Sequence, residues 1–298
     1  MGRQKRLQDL TIKDNFMFGA VMSIEENCIA FLEMVLGCPI EKVVVSKERS
    51  MIYHPEYRGV RLDIYARDEK HTHYNVEMQA RRQADLGKRS RYYHSQIDVE
   101  CLEKGLPYEE LPNTFVIFIC DFDPFGCGLY YYSFQNECQE DTRAKLCDGN
   151  KTIFLSTKGK NKEQMPQSLV KFLKFVEADL AESEEDFDDE LVRQFQTSIR
   201  KIKTSREMGE RYMLFEELLK EERQEGLAQG RQENAREYIL EVLADKGEVP
   251  AALKESLCEV DSEEELKRLF KLAAKVESTE AFQKIVEETV NKLKSRET

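Results

Sequence analysis

Residues Thr114-Phe-Val-Ile-Phe-Ile-Cys120 form an uninterrupted apolar run of strand length. A short β-branched and aromatic run of this kind reads as a strand buried on both faces. Such a strand needs a layer on either side, so the chain around it is expected to be α/β. Helical patterns flank it. Asp14 leads into Phe16, Phe18 and Val21, a stretch from Ile29 closes on Gly37, and residues 88–103 run to a stop at Gly105. Val43-Val-Val-Ser46, Arg61–Ala66, Tyr74–Ala80, Leu129–Phe134 and Thr152–Ser156 read as further strands, giving a compact unit over about residues 10–160.

Beyond Pro166 the pattern is helical throughout. Glu177–Glu190 carries nine acids and no base, which reads as a solvated acidic connection. Residues 190–246 read as one long or twice-broken helix, and Pro250 restarts a polar helical tail. Phe195, Ile199, Ile202, Tyr212, Phe215, Leu218 and Leu219 make one apolar stripe that needs a partner, either the α/β unit or a second chain. The tail holds too few large apolar residues for an independent thick core. Gly226 and Gly230, four apart, suggest a close helix crossing. The expected division is an α/β domain over 1–180 and a helical, charged region over 181–298, with a dimerisation or regulatory role.

Composition excludes several classes. The chain has no apolar stretch of membrane-spanning length, and the basic start Met1–Leu7 is not followed by an apolar run, so neither a membrane span nor a secretory signal is expected. Eight cysteines without a CxxC pair read as reduced thiols of a cytoplasmic protein. A zinc cluster of Cys120, Cys127, Cys138 and Cys147 is disfavoured by irregular spacing. No Gly-rich phosphate loop appears, so no nucleotide cofactor is expected. The net charge of −12 argues against a nucleic-acid partner only until its distribution is considered. Residues 1–105 hold 17 Lys+Arg against 16 Asp+Glu, a net of +1, so the acidity belongs to the rest of the chain.

The chemistry concentrates in one hairpin. In Arg61-Leu-Asp-Ile-Tyr65, alternation puts Arg61, Asp63 and Tyr65 on one face; in Asn75-Val-Glu-Met-Gln79 it puts Asn75, Glu77 and Gln79 together. A turn symmetric about Lys70 sets Asp63 across from Glu77. Facing carboxylates destabilise each other unless a cation lies between them. Their hard oxygens suit Mg²⁺ or Mn²⁺, and such an ion suits phosphodiester hydrolysis, with Gln79 orienting a water. The plain alternative is a solvated polar face screened by Arg61. His71 and His73 fall in the connection and read as a solvated turn. Immediately after the hairpin come Arg81, Arg82, Lys88, Arg89 and Arg91, with Asp85 as the only acid, beside Tyr92 and Tyr93. This cluster fits sequence-indifferent contact with a phosphate backbone, and the two tyrosines fit packing.

Asp63 followed by Glu77-x-Gln79 resembles the D…(D/E)xK core of the PD-(D/E)XK nuclease superfamily, with Gln in the Lys place. Lys13-Asp-Asn-Phe-Met-Phe18, Val60–Tyr65, Asn75–Gln79, Lys88–Tyr93, Gly105-Leu-Pro-Tyr108 and Phe118–Phe125 together resemble bacterial Rpn-type recombination-promoting nucleases, also described as transposases, across residues 10–175. The resemblance implies a restriction-endonuclease-like core, a mixed sheet flanked by helices, followed by an all-helical region. It implies a magnesium-dependent DNA endonuclease serving recombination or transposition, with Asp63 and Glu77 as metal ligands and Gln79 in the position of the catalytic Lys. A further acid from the first helices, Asp14 or Glu33, is a candidate third ligand. Gln carries no positive charge, so the departure at residue 79 implies slow turnover, but the family tolerates Gln there and inactivity does not follow. The alternative is a catalytically weak or inactive nuclease fold acting as a DNA-binding or regulatory protein, against which the two facing carboxylates speak. DNA is the expected partner. A homodimer is expected, since two related sites cut both strands most simply.

Overall fold

The computed structural model describes residues 5–51 and 60–297. Two compact units divide the chain, Met1–Tyr212 and Met213–Thr298. The first is built on a mixed sheet of six strands: β1 (Val43–Met51), β2 (Val60–Asp68), β3 (His73–Gln79), β4 (Thr114–Cys120), β5 (Tyr131–Phe134) and β6 (Asn150–Ser156). Their order is β1-β2-β3-β4-β6-β5, with β3, β4 and β6 parallel and the other pairings antiparallel.

The apolar run Thr114–Cys120 is β4, and it is interior. Val116 through Cys120 are fully buried, as a strand between two parallel neighbours and two covering layers must be. On one face lies α3 (Leu86–Cys101), whose Tyr93 and Ile97 pack with Val116, Phe118, Cys120 and Phe154. The Phe118 ring stacks between Tyr93 and Phe154, at centroid distances of 6.2 and 5.0 Å. The alternate residues Val76, Met78, Ile117 and Ile119 are buried too, so the sheet is covered on both faces.

A helical group packs on the sheet's first strands: α1 (Asn15–Met22) and α2 (Glu25–Leu36) touch β1, and α4 (Gln167–Glu177) and α5 (Glu190–Thr204) pack onto α2. Aromatic rings join them, Phe31 to Phe172 at 5.4 Å and Phe172 to Phe195 at 5.6 Å. Gly37 ends α2 at φ +69°, a left-handed stop that glycine adopts without strain. Asp14 stands at the start of α1, but its carboxylate accepts from Thr11 N and Lys5 Nζ instead of capping the helix. The acidic connection is ordered through specific contacts. Asp189 caps α5 through Val192 N, and Gln196 donates to the carbonyls of Ser183 and Glu185.

The hairpin between β2 and β3 is closed by Asp68, whose carboxylate accepts from Lys70 N, Thr72 N and the Tyr74 hydroxyl at 2.9, 2.8 and 2.7 Å. That knot fixes the register: Ile64 faces Val76 and Arg67 faces His73, a pairing symmetric about Lys70. His73 is not in the turn. It is the first residue of β3, buried against the Tyr65 hydroxyl and Cys101. The side chain of Arg61 lies outside the described residues.

The second unit is helical: most of α6 (Arg206–Ala244), then α7 (Ala251–Cys258), α8 (Glu263–Ala273) and α9 (Thr279–Glu297). It corrects the expectation that the tail lacks a core of its own. Ile239, Leu243, Leu253, Leu257, Val260, Leu266, Leu269, Phe282 and Val286 form a closed apolar cluster. Spacing alone hid this core, because each helix contributes only two or three members. Among the described residues nothing lies within 4 Å of where a Cβ would stand on Gly226 or Gly230, so neither makes a close helix crossing there.

Candidate active site

The site grows from the point where β2 and β3 stop pairing. Their ladder ends at Ile64–Val76, one step short of Asp63 and Glu77. There the side chains take over the hydrogen bonding. Asp63 N donates to Glu77 Oε1 at 3.2 Å, and Met78 N donates to Asp63 Oδ2 at 3.2 Å. Each carboxylate is therefore pinned by the backbone of the opposite strand. The structure brings the two acids together as the hairpin symmetry requires.

Glu77 is almost completely buried. Burial pushes its carboxyl up to about 8, and the neighbouring Asp63 charge pushes the same way. Opposing them are the Asp63 N–H and the Arg89 guanidinium. Arg89 Nη2 donates to Glu77 Oε2 at 3.2 Å, and Nη1 donates to Gln79 Oε1 at 3.4 Å and to Gln83 Oε1. The Tyr93 hydroxyl accepts from Arg89 Nε and Nη2 at 3.1 and 2.6 Å, and lies 3.5 Å from Glu77 Oε2. Between them, β3 supplies the acid and α3 supplies the groups that hold it.

Asn75, two residues before Glu77 on the same face, is completely buried, and both its amide atoms lack a hydrogen-bond partner of normal geometry. Its proximity favours the ionised form of Glu77. A buried amide left unpaired is costly, so its retention here marks a polar site, not a packing site.

Around the carboxylates the basic cluster splits. Arg81, Lys88 and Arg91 are exposed. Arg82 donates to the Asp123 carbonyl at 2.9 Å and lies over the Phe122 ring. Only Arg89 turns inward. Its sequence context groups it with the outer bases, while Tyr93 packs in the core as expected and also holds the guanidinium; the signal that separates Arg89 from its neighbours is its four-residue spacing from Tyr93, one turn apart on the buried side of α3. At the strand ends Lys13 reaches Asp121 at 3.1 Å, and Asp121 N donates to Gln79 O at 3.0 Å, so two of the quoted motifs meet beside the site.

Among the described residues no third His, Cys, Asp or Glu joins the pair. Asp14 is engaged by Lys5 and Thr11, and Glu33 Oε1 accepts from Ile40 N at 2.8 Å, so both candidate third acids serve local structure. Two facing hard carboxylates fit a magnesium-type ion, which keeps several waters and takes one or two carboxylates from protein.

A family model described as PD-(D/E)XK nuclease family transposase matches residues 12–227, most of the chain. The chain belongs to this family. The match runs from α1 through the first part of α6, so it takes in the whole sheet and both carboxylates. Membership in the PD-(D/E)XK family accounts for the mixed sheet flanked by helices and supports a nuclease- or transposase-related role for the chain. No curated protein and no solved structure matched it. No described helix is long and apolar enough to cross a membrane.

Proposed function

We propose that this PD-(D/E)XK chain is a divalent-metal-dependent DNA endonuclease, with Asp63 and Glu77 holding Mg²⁺ or Mn²⁺. The observation that carries the reading is the like-charged pair: Glu77 is buried beside Asp63 and its carboxyl is pushed up to about 8, a cost a bound cation removes. When bound, the ion polarises a phosphoryl oxygen and lowers the pKa of its water. The chain's own residues do the remaining work. Asp63 N and Met78 N hold the two carboxylates in place, and Gln79 stands at the end of β3 to orient the attacking water. Arg81, Arg82, Lys88 and Arg91 lie on the surface beside it, placed for contacts to the phosphate backbone that carry no sequence information. The family description, a nuclease family transposase, supports a process of the recombination, transposition or mobile-element class.

Gln79 favours the second reading, a catalytically weak or silent fold that binds DNA, because a neutral amide brings no positive charge to the developing phosphoryl charge. One experiment separates the two. Purified protein with Mg²⁺ or Mn²⁺ is expected to nick or cleave duplex DNA, and Asp63→Ala or Glu77→Ala is expected to lower the rate about 10³-fold, the size of losing a main electrostatic group. Cleavage that both variants retain at full rate rejects the assignment.

A further inference from the structure

Resting on that reading, we propose that Arg89 supplies the positive charge that Gln79 lacks, acting in the reaction at the scissile phosphate and not as one more outer DNA contact. Strand β3 brings no cation to the site. Its last residues, Glu77 and Gln79, offer an anion and a neutral amide. The cation comes from the facing helix. One guanidinium spans the two functional positions, with Nη2 3.2 Å from Glu77 Oε2 and Nη1 3.4 Å from Gln79 Oε1.

Its pose is held from several sides. Tyr93 accepts from two of its nitrogens, Gln83 accepts from a third position on the fork, and the guanidinium carbon lies 5.3 Å from the Tyr93 ring centroid and 6.0 Å from that of Phe118. A planar fork fixed by hydrogen bonds and ring contacts is preorganised for charge that develops later, the condition under which a donor contributes most. Arg81, Lys88 and Arg91 are exposed instead, Lys88 with a long ion pair to Asp85 at 3.8 Å. All five of its N–H groups are engaged, and the side chain is 33% exposed, so a bound phosphate reaches the guanidinium by displacing a neutral acceptor such as Gln83. Gln79 Oε1 is turned toward Arg89, which leaves its NH₂ as the group free to orient a water or a phosphoryl oxygen.

Arg89 also sets the charge of the cation site. With Asp63 and Glu77 ionised, its presence takes the site from two net negative charges to one. Removing it is therefore expected to tighten divalent-ion binding while slowing the reaction, and a merely structural role predicts the opposite for the ion.

The test uses the full chain with Mn²⁺ as the probe, followed by calorimetry, alongside cleavage of duplex DNA at saturating Mn²⁺. Arg89→Met is expected to lower the cleavage rate about 10²–10³-fold and to bind Mn²⁺ on the order of tenfold more tightly. Arg89→Lys, which keeps the charge, is expected to recover a large part of the rate. Arg89→Met that cuts like the wild type, in a wild type that cuts, overturns the assignment alone. Arg89→Met that is slow, binds Mn²⁺ more weakly and is not rescued by Lys also overturns it, reducing Arg89 to a holder of Glu77. A wild-type chain that neither binds Mn²⁺ nor cuts overturns the nuclease reading and this assignment with it.

Discussion

Glu77 is where burial and charge conflict most directly in this chain, and the conflict gives it a measurable signature. Its carboxyl sits near 8 in the folded protein against an ordinary 4.5. Between those values the folded state holds a proton that the unfolded state has released, so stability falls as pH rises. The contribution is fully present below the unfolded value and is lost as pH passes through 8. Without divalent ions, the melting temperature is therefore expected to be higher at pH 6 than at pH 8.5. A difference of a few degrees is expected, since about 1 kcal/mol moves the midpoint by about 2–4 °C in domains of this size. Glu77→Gln, which keeps the shape and removes the titration, is expected to flatten that slope. His94 titrates in the opposite sense, burial having lowered it to about 4, so the comparison of the two proteins isolates Glu77. An unchanged slope in Glu77→Gln assigns the pH dependence elsewhere.

At the scale of elements, the strands that place the site were legible because each has one dominant cause. β4 is apolar on both faces, and the β2–β3 register follows from a turn symmetric about Lys70. What the sequence did not disclose is which side chain meets which across the α3–β3 interface. Arg89 looks like its exposed neighbours until the helix phase puts it over Glu77, and His73 looks like part of a polar turn until the strand begins one residue earlier than its alternation suggests. The helical core of the second unit escaped for a related reason: its apolar residues are spread over four helices, and only their convergence makes a cluster. The helices after the sheet are equally particular. Phe195 of α5 is fully buried and meets Phe172 of α4, so α5 belongs to the sheet's unit. Phe195→Ala is expected to destabilise that unit by about 3–5 kcal/mol, the cost of an unfilled aromatic site. Denaturant melting followed by Phe and Tyr signals checks it. A loss under 1 kcal/mol would mean that α5 does not seal this core.

Across the whole molecule, the apolar stripe of residues 195–219 separates into a covered part and an open part. Phe195, Ile199, Ile202 and Tyr212 are buried by their own unit, Tyr212 against Phe16 with its hydroxyl on the Lys5 carbonyl at 2.8 Å. From that point α6 changes character. Met213, Leu214, Leu218 and Leu227 are 65, 60, 59 and 58% exposed, on a helix dense in Glu, Arg and Gln that also exposes Leu219 and Tyr238. Exposed apolar residues gathered early in this segment suit a partner surface, and under the proposed nuclease reading a second copy of the chain is the occupant that suits a two-stranded substrate. We therefore expect the full chain to be a dimer at micromolar concentration, joined through this part of α6. Leu214→Glu with Leu218→Glu puts two charges into the contact and is expected to give monomers that keep the fold, since neither side chain is buried in the chain itself. Sedimentation of the two proteins decides the point. A chain ended after Tyr212 offers a second check, being expected to fold and to run as a monomer. If the full chain is itself a monomer at that concentration, the exposed leucines of α6 do not join two copies, and each active site works alone on its strand.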